Sequence, residues 1–249
     1  MKSDYSEISL YVKTTECGPN DCISSAVLFA NLQEAADIGA AERGFDRHDI
    51  ESFNACWIVM RTRIRIYRFP KWRDTIKLRT WSTGLEKLFF GREYEVYSDD
   101  NELLVEGTSM WILADKDTHS PINPTKIEGI SDTAMQNNRK VFGESCGRLK
   151  VPKREIITTE PTIIKYGDFS ELDHNNHVNN TRYIAWMCDA LSKHGYDPQK
   201  LNDISINYIS EVHYGERVEI FVDDSSDKIL IYGYKEGNIA VFCTEVSLS

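Results

Sequence analysis

The 249-residue chain has no apolar run near the roughly 18 residues needed to span a bilayer, so no membrane insertion is expected. Its first ten residues are polar and of mixed charge, unlike a signal or transit peptide. It therefore reads as soluble and cytoplasmic. Its 7 prolines and 14 glycines are never concentrated with serine, which excludes a low-complexity linker. Lys and Arg number 29 against 39 Asp and Glu, a net charge of −10. A nucleic-acid partner is not expected, because that role needs a basic face. The 6 cysteines (Cys17, Cys22, Cys56, Cys146, Cys188, Cys243) include no Cys-x-x-Cys pair and no Cys/His cluster at metal-site spacing. Free thiols are expected in a cytosolic chain, with no metal and no cofactor.

The remaining composition is ordinary for a globular protein, with 41% hydrophobic residues. Apolar spacing predicts a helix over 23–41, followed by strands at 57–69, 74–81, 89–97 and 103–115. Turn signals between these strands include Phe69-Pro70-Lys71, Ser82-Thr83-Gly84 and Asp99-Asp100-Asn101. A polar segment over 115–153, with a short helix, links this round to a second one. The second round has a strand at 162–166, a helix at 180–194 with Tyr183, Ile184, Trp186, Met187, Ala190 and Leu191 on one face, and strands at 203–211, 217–222, 228–234 and 239–248. This is an α+β pattern of a helix and an antiparallel sheet, repeated. Ile64 and Ile66 correspond to Ile206 and Tyr208, and Ile76 and Leu78 to Val218 and Ile220, as in a duplication. The expected division is an N-terminal unit at 1–125, a linker at 126–153 and a C-terminal unit at 154–249.

The densest polar stretch is Asp168-Phe-Ser-Glu-Leu-Asp-His-Asn-Asn-His-Val-Asn-Asn180. Asp173, Asn175 and His177 alternate, so an extended chain would set them on one face. Asn179 or Asn180 would cap the following helix, whose free N–H groups could stabilise an oxyanion. The spacing alone equally fits an Asn-rich capping loop with His177 satisfied by hydrogen bonds.

Residues 171–186, Glu-Leu-Asp-His-Asn-Asn-His-Val-Asn-Asn-Thr-Arg-Tyr-Ile-Ala-Trp, closely resemble the signature of the acyl-acyl carrier protein thioesterases, as in a bacterial relative of the plant fatty acyl thioesterases. The stretches Trp57 to Trp72 and Ile206-Asn-Tyr-Ile-Ser-Glu211 resemble two further motifs of that family, in the same order. The resemblance implies a tandem (double) hotdog fold. It also implies hydrolysis of fatty acyl-acyl carrier protein thioesters to free fatty acid, as in fatty acid biosynthesis. Asp173, Asn175, His177 and Glu211 fall on the family's catalytic positions. Glu211 is the first choice for activating a water, with His177 and Asn175 positioning it or polarising the carbonyl and Asp173 holding a neighbour. Some family members carry a cysteine directly after this glutamate, whereas this chain has Val212, which leaves the water route.

The repeat sets Glu211 against Phe69, so the first unit is expected to shape the acyl pocket without a catalytic set. Leu28, Phe29 and Leu32 could line that pocket or be ordinary core. Arg61, Arg63, Arg65 and Arg68 lie in a stretch without acidic residues, and would form either a solvated strand face or a docking patch for acidic carrier protein. Exposed sheet edges would allow a homodimer. A hydrolase of acyl-coenzyme A and a non-catalytic acyl-binding hotdog module are the alternatives on the same scaffold.

Overall fold

The computed structural model describes residues 4–127, 130 and 136–249. The chain divides into two compact units: Met1–Ile23 with Ala30–Cys146, and Ser24–Phe29 with Gly147–Ser249.

In the first unit the strands are β1 (Ser6–Tyr11), β2 (Ala55–Ile66), β3 (Thr75–Glu86), β4 (Phe89–Ser98) and β5 (Leu103–Asp115). They form an antiparallel sheet in the order β1-β3-β4-β5-β2. The long helix α1 (Ser25–Ala41) begins after a loop at 12–24, and its residues from Ala30 onward belong to this unit. β4 alternates across the sheet: Phe90, Arg92, Tyr94 and Val96 share one face, and Gly91, Glu93 and Glu95 the other. The second of these faces is covered by the chain at 136–146. There Val141 N–H donates to Glu93 at 2.9 Å, Arg139 pairs with Glu95 at 2.7 Å, and the Trp81 indole N–H donates to the Arg139 carbonyl at 2.8 Å.

In the second unit the strands are β6 (Ile163–Tyr166), β7 (Leu201–Tyr208), β8 (Arg217–Asp223), β9 (Ile229–Lys235) and β10 (Ile239–Leu248), in the order β7-β10-β9-β8-β6. The helix α2 (Asn180–His194) starts at Asn179, whose side chain accepts from Thr181 N–H. It ends at Gly195, whose left-handed conformation (φ 104°) suits glycine. Tyr183, Ile184, Trp186, Met187, Ala190 and Leu191 are its buried face. Tyr183 stacks on Phe242 with centroids 5.5 Å apart and contacts Trp186 and Tyr208. Burying each such aromatic contributes roughly 1.5–3 kcal/mol of apolar transfer. The opposite face of this sheet carries Phe221, Tyr232, Tyr234 and Cys243, packed under Leu149, Val151 and Ile157.

The two sheets repeat one another: β3, β4, β5 and β2 of the first unit occupy the order of β8, β9, β10 and β7 of the second. Ile64 and Ile66 lie on β2, as Ile206 and Tyr208 lie on β7, and all four are buried.

The structure departs from the sequence expectations at several elements. Strand β1 was not foreseen, because its six residues mix polar and apolar types without a turn signal. Ser82-Thr83-Gly84 is not a turn. It is a bulge inside β3, where the register shifts and Gly84 takes φ 83°. The hairpin turn falls instead at Lys87, with φ 62°. The strand expected to reach Glu211 ends at Tyr208. The short helix expected within 115–153 lies partly outside the described residues. Among those described, Pro124–Lys126 form a 3-10 turn and Ile130 is helical.

Candidate active site

The stretch expected to be extended at 173–177 is a tight turn. Leu172 and Val178 bridge at its base, Asp173 N–H donates to the His177 carbonyl at 2.8 Å, and Asn176 is left-handed at φ 61°. The cause is Asp173 itself. Its Oδ1 accepts from Asn175 N–H at 2.8 Å and from His177 N–H at 3.3 Å, the self-capping that Asp offers a turn. His174, Asn175 and Asn176 are exposed at the tip, while His177 is returned to the body of the unit.

Glu211 lies in the loop after β7, and the main chain brings it to the turn. Val178 N–H donates to the Val212 carbonyl at 2.8 Å, and His177 bridges His213. The His177 Nε2 to Glu211 Oε2 distance is 3.5 Å, with side chains 14% and 38% exposed. The His213 ring stands edge-on to His177, centroids 4.7 Å apart. Thus His177 and Glu211 face one another, Asp173 is engaged through main-chain N–H groups of the turn, and Asn175 stands exposed at its tip.

Sequence reasoning missed the supports of this cluster. Lys235 Nζ donates to the Glu211 carbonyl at 2.7 Å and to Glu216 at 3.0 Å. Burial raises the Glu216 carboxyl's pKa, but hydrogen bonds from His213 N–H and Lys235 offset this and hold it below the usual glutamate range. Gly167 hydrogen-bonds to residues 215 and 216, and a Cβ there would lie 2.3 Å from the His213 carbonyl oxygen. Glu171 accepts from Arg182 and from the Trp186 indole at 3.1 Å, and its carbonyl accepts from Asn179 N–H. A lone glycine after a strand and a glutamate before the motif were the available signals. The α2 start offers less to an oxyanion than its sequence suggests. Thr181 N–H is taken by the Asn179 side chain at 3.0 Å and Arg182 N–H by the Asn179 carbonyl at 2.8 Å.

The first unit contains the same frame with different residues. Cys17 bridges Ile23, Gly18 N–H donates to the Cys22 carbonyl, Asp21 is left-handed at φ 56°, and Cys22 bridges Lys71. Lys71 N–H donates to Asp74 as His213 N–H does to Glu216. Cys22 thus holds the place of His177, and Phe69 that of Glu211. Cys188 lies on α2, where burial pushes its thiol up to about 12.

The four arginines have partners within the first unit. Arg61 lies over the Phe89 ring, Arg63 and Arg65 over Phe142 at 4.5 and 5.1 Å, and Arg68 pairs with Glu102 at 2.7 Å. The same unit holds an open cleft walled by Phe45, Trp57, Phe90 and Trp111 and by the small residues Ala36, Gly39 and Ala40 of α1. Leu28, Phe29 and Leu32, expected as candidates for such a lining, are buried and are not among its lining residues.

Two helix-and-sheet units, one with a His–Glu pair at its helix-entry turn, define a tandem hotdog protein. The chain belongs to the acyl-ACP thioesterase family: the family's N-terminal domain matches residues 7–127 and its C-terminal domain residues 160–239. Oleoyl-acyl carrier protein thioesterase 1 of Arabidopsis thaliana is 25% identical over 233 residues, covering 87% of this chain and 63% of that protein. The palmitoyl-acyl carrier protein thioesterase of Gossypium hirsutum is 27% identical over 210 residues, covering 80% of this chain and 50% of that protein. The chain thus spans about half to two thirds of the length of these relatives. An acyl-ACP thioesterase structure from Bacteroides thetaiotaomicron superposes with TM-score 0.81 at 20% identity, covering 99% of this chain and 98% of that one. The 12:0-ACP thioesterase of Umbellularia californica gives 0.81 at 19% identity, covering 100% and 98%. Among the described residues no helix is long and apolar enough to cross a membrane.

Proposed function

We propose that this chain hydrolyses fatty acyl thioesters of acyl carrier protein, releasing free fatty acid, with one site per chain in the second unit. The observation that carries this reading is the His177–Glu211 pair, 3.5 Å apart on main-chain segments that are hydrogen-bonded together. Glu211 takes a proton from a water as the water oxygen bonds to the thioester carbonyl carbon. The carbon–sulfur bond then breaks, the thiolate leaves, and the proton held by Glu211 passes to it, giving carboxylic acid and carrier thiol. His177 orients the water and steadies the tetrahedral oxyanion with the Asn175 amide. Asp173 positions His177 through the turn. The two capped N–H groups at the α2 start are not available for this. Cys22 and Phe69, at the corresponding places of the first unit, leave that unit without acid–base groups of this kind. Carrier protein as substrate is favoured by the family to which the chain belongs.

Steady-state rates with one acyl group on carrier protein and on coenzyme A test the assignment beside Glu211→Gln. The wild type is expected to prefer the carrier substrate, and Glu211→Gln to lose about 10²–10⁴ in kcat without a change in melting temperature. Full activity in a folded Glu211→Gln variant overturns the mechanism, and preference for coenzyme A overturns the substrate.

The strip from Arg61 to Arg68 is proposed to dock the acidic carrier through its half-exposed members. Arg65 and Arg68 keep 40% of their side-chain surface accessible. Arg65→Glu with Arg68→Glu should raise KM for the carrier substrate and leave that for a small acyl thioester unchanged. Equal effects on both remove this role.

A further inference from the structure

Lys235 is the last residue of β9, one position past the strand expected there from the sequence. An ammonium has three N–H donors, and this one meets three acceptors. They are the Glu211 carbonyl oxygen at 2.7 Å and the two Glu216 carboxylate oxygens at 3.1 and 3.0 Å. Only 14% of the lysine side chain is exposed. Glu216 Oε2 also accepts from His213 N–H at 2.8 Å. Lys235 therefore holds the carbonyl of residue 211 directly and, through Glu216, the N–H of residue 213. Between them the Val212 carbonyl accepts from Val178 N–H at 2.8 Å. Three successive residues are each tied at the main chain.

The first unit separates the ties that the fold needs from the one it does not. Asp74 takes the place of Glu216 and accepts from Lys71 N–H at 2.9 Å. The Pro70 carbonyl accepts from Ile23 N–H at 2.9 Å, as that of Val212 does from Val178. Both ties thus recur where Cys22 and Phe69 replace His177 and Glu211. The lysine does not recur. Lys235 pairs with Val218 of β8, whereas Ser98 pairs with Ile76, the matching residue of β3. Asp74 is met instead by Arg68, from its own loop, at 3.7 Å. Holding a nearly enclosed ammonium costs desolvation and side-chain entropy. A turn that forms without one in the first unit does not need it in order to fold. What the second unit has in addition is a carboxylate to aim.

We propose that Lys235 is a positioning residue for Glu211. It fixes the carbonyl of the residue whose carboxylate faces His177 Nε2 at 3.5 Å, and so fixes the direction from which that carboxylate meets the water. The inference rests on the acyl-thioesterase reading above for its effect on rate, while the geometry can be measured apart from turnover.

The test sets Lys235→Met, which keeps the stem and removes the donors, beside Lys235→Arg, with one carrier-bound acyl substrate. Lys235→Met should lower kcat about tenfold or more and leave KM within about twofold, the pattern of a misplaced group rather than of lost binding. Lys235→Arg should recover part of the loss. In a Glu211→Gln background Lys235→Met should cost less than about twofold further, because its effect passes through that carboxylate. Equal losses in both backgrounds, the mark of a purely structural lysine, overturn the proposal. So does an unchanged kcat in Lys235→Met, or failure of that variant to fold. A crystal structure of Lys235→Met should show the separation of His177 Nε2 and Glu211 Oε2 lengthened beyond 3.5 Å, and an unchanged separation also overturns the proposal. If the wild type hydrolyses no acyl-carrier thioester, the functional reading fails, and that separation still decides the positioning role.

Discussion

Asp173 offers the sharpest separation between two ways of using a carboxylate beside His177. Its Oδ1 accepts from Asn175 N–H at 2.8 Å and from His177 N–H at 3.3 Å. Hydrogen bonds to a charged acceptor are worth about 1.5–3 kcal/mol, and water competing at a half-exposed turn keeps these near the lower end, with the longer bond weaker still. Asp173→Ala should therefore cost about 2–3 kcal/mol of local order. For a chain of this size that lowers the melting midpoint by several degrees. The catalytic cost should be larger, because a displacement of about 1 Å in a positioned group costs on the order of 10²-fold. We expect kcat to fall at least that far, with KM nearly unchanged. Asp173→Asn keeps an oxygen at Oδ1 and should stay within about tenfold of wild type. Steady-state kinetics with a carrier-bound substrate, beside thermal unfolding of all three proteins, makes the comparison. If folded Asp173→Asn is as inactive as Asp173→Ala, the negative charge matters rather than the turn, and the positioning argument fails.

Two further outcomes follow from the packing. Gly167→Ala forces a methyl to within 2.3 Å of the His213 carbonyl oxygen, so it should destabilise by about 1–3 kcal/mol and reduce kcat, as read by urea unfolding and kinetics; wild-type values for both would refute the close approach. Glu93 is raised above the ordinary 4.5 by burial, against hydrogen bonds from Val141 N–H and Thr108, with Arg139 and Lys140 the cations facing it. The folded state then holds its proton more tightly than the unfolded state, so this group's contribution to stability is full below pH about 4.5 and declines as pH rises through the folded pKa. Glu93→Gln should gain stability relative to wild type across that window and run parallel above it; a relative loss with rising pH refutes the assignment.

Much of this was legible in the residues, for reasons that differ by element. The α2 boundaries, Asn180 to His194, follow from an asparagine cap, a full apolar stripe and a terminal glycine, all local signals. The duplication was legible in the inward positions of β2 and β7. The turn at 173–177 was not, because alternating polar residues read as a strand unless Asp173 is known to bond its own main chain. The approach of Glu211 to His177 depends on pairing between segments more than thirty residues apart, which no local pattern encodes.

The ladder joining residues 177–178 to 212–213 means that histidine and glutamate travel on a single rigid splint. Their spacing is inherited from the backbone and owes little to their own side-chain contact. A disturbance that leaves those main-chain links intact should dim the proposed hydrolysis only slightly, whereas unzipping them should extinguish it in one step, ahead of any melting of the helix beneath.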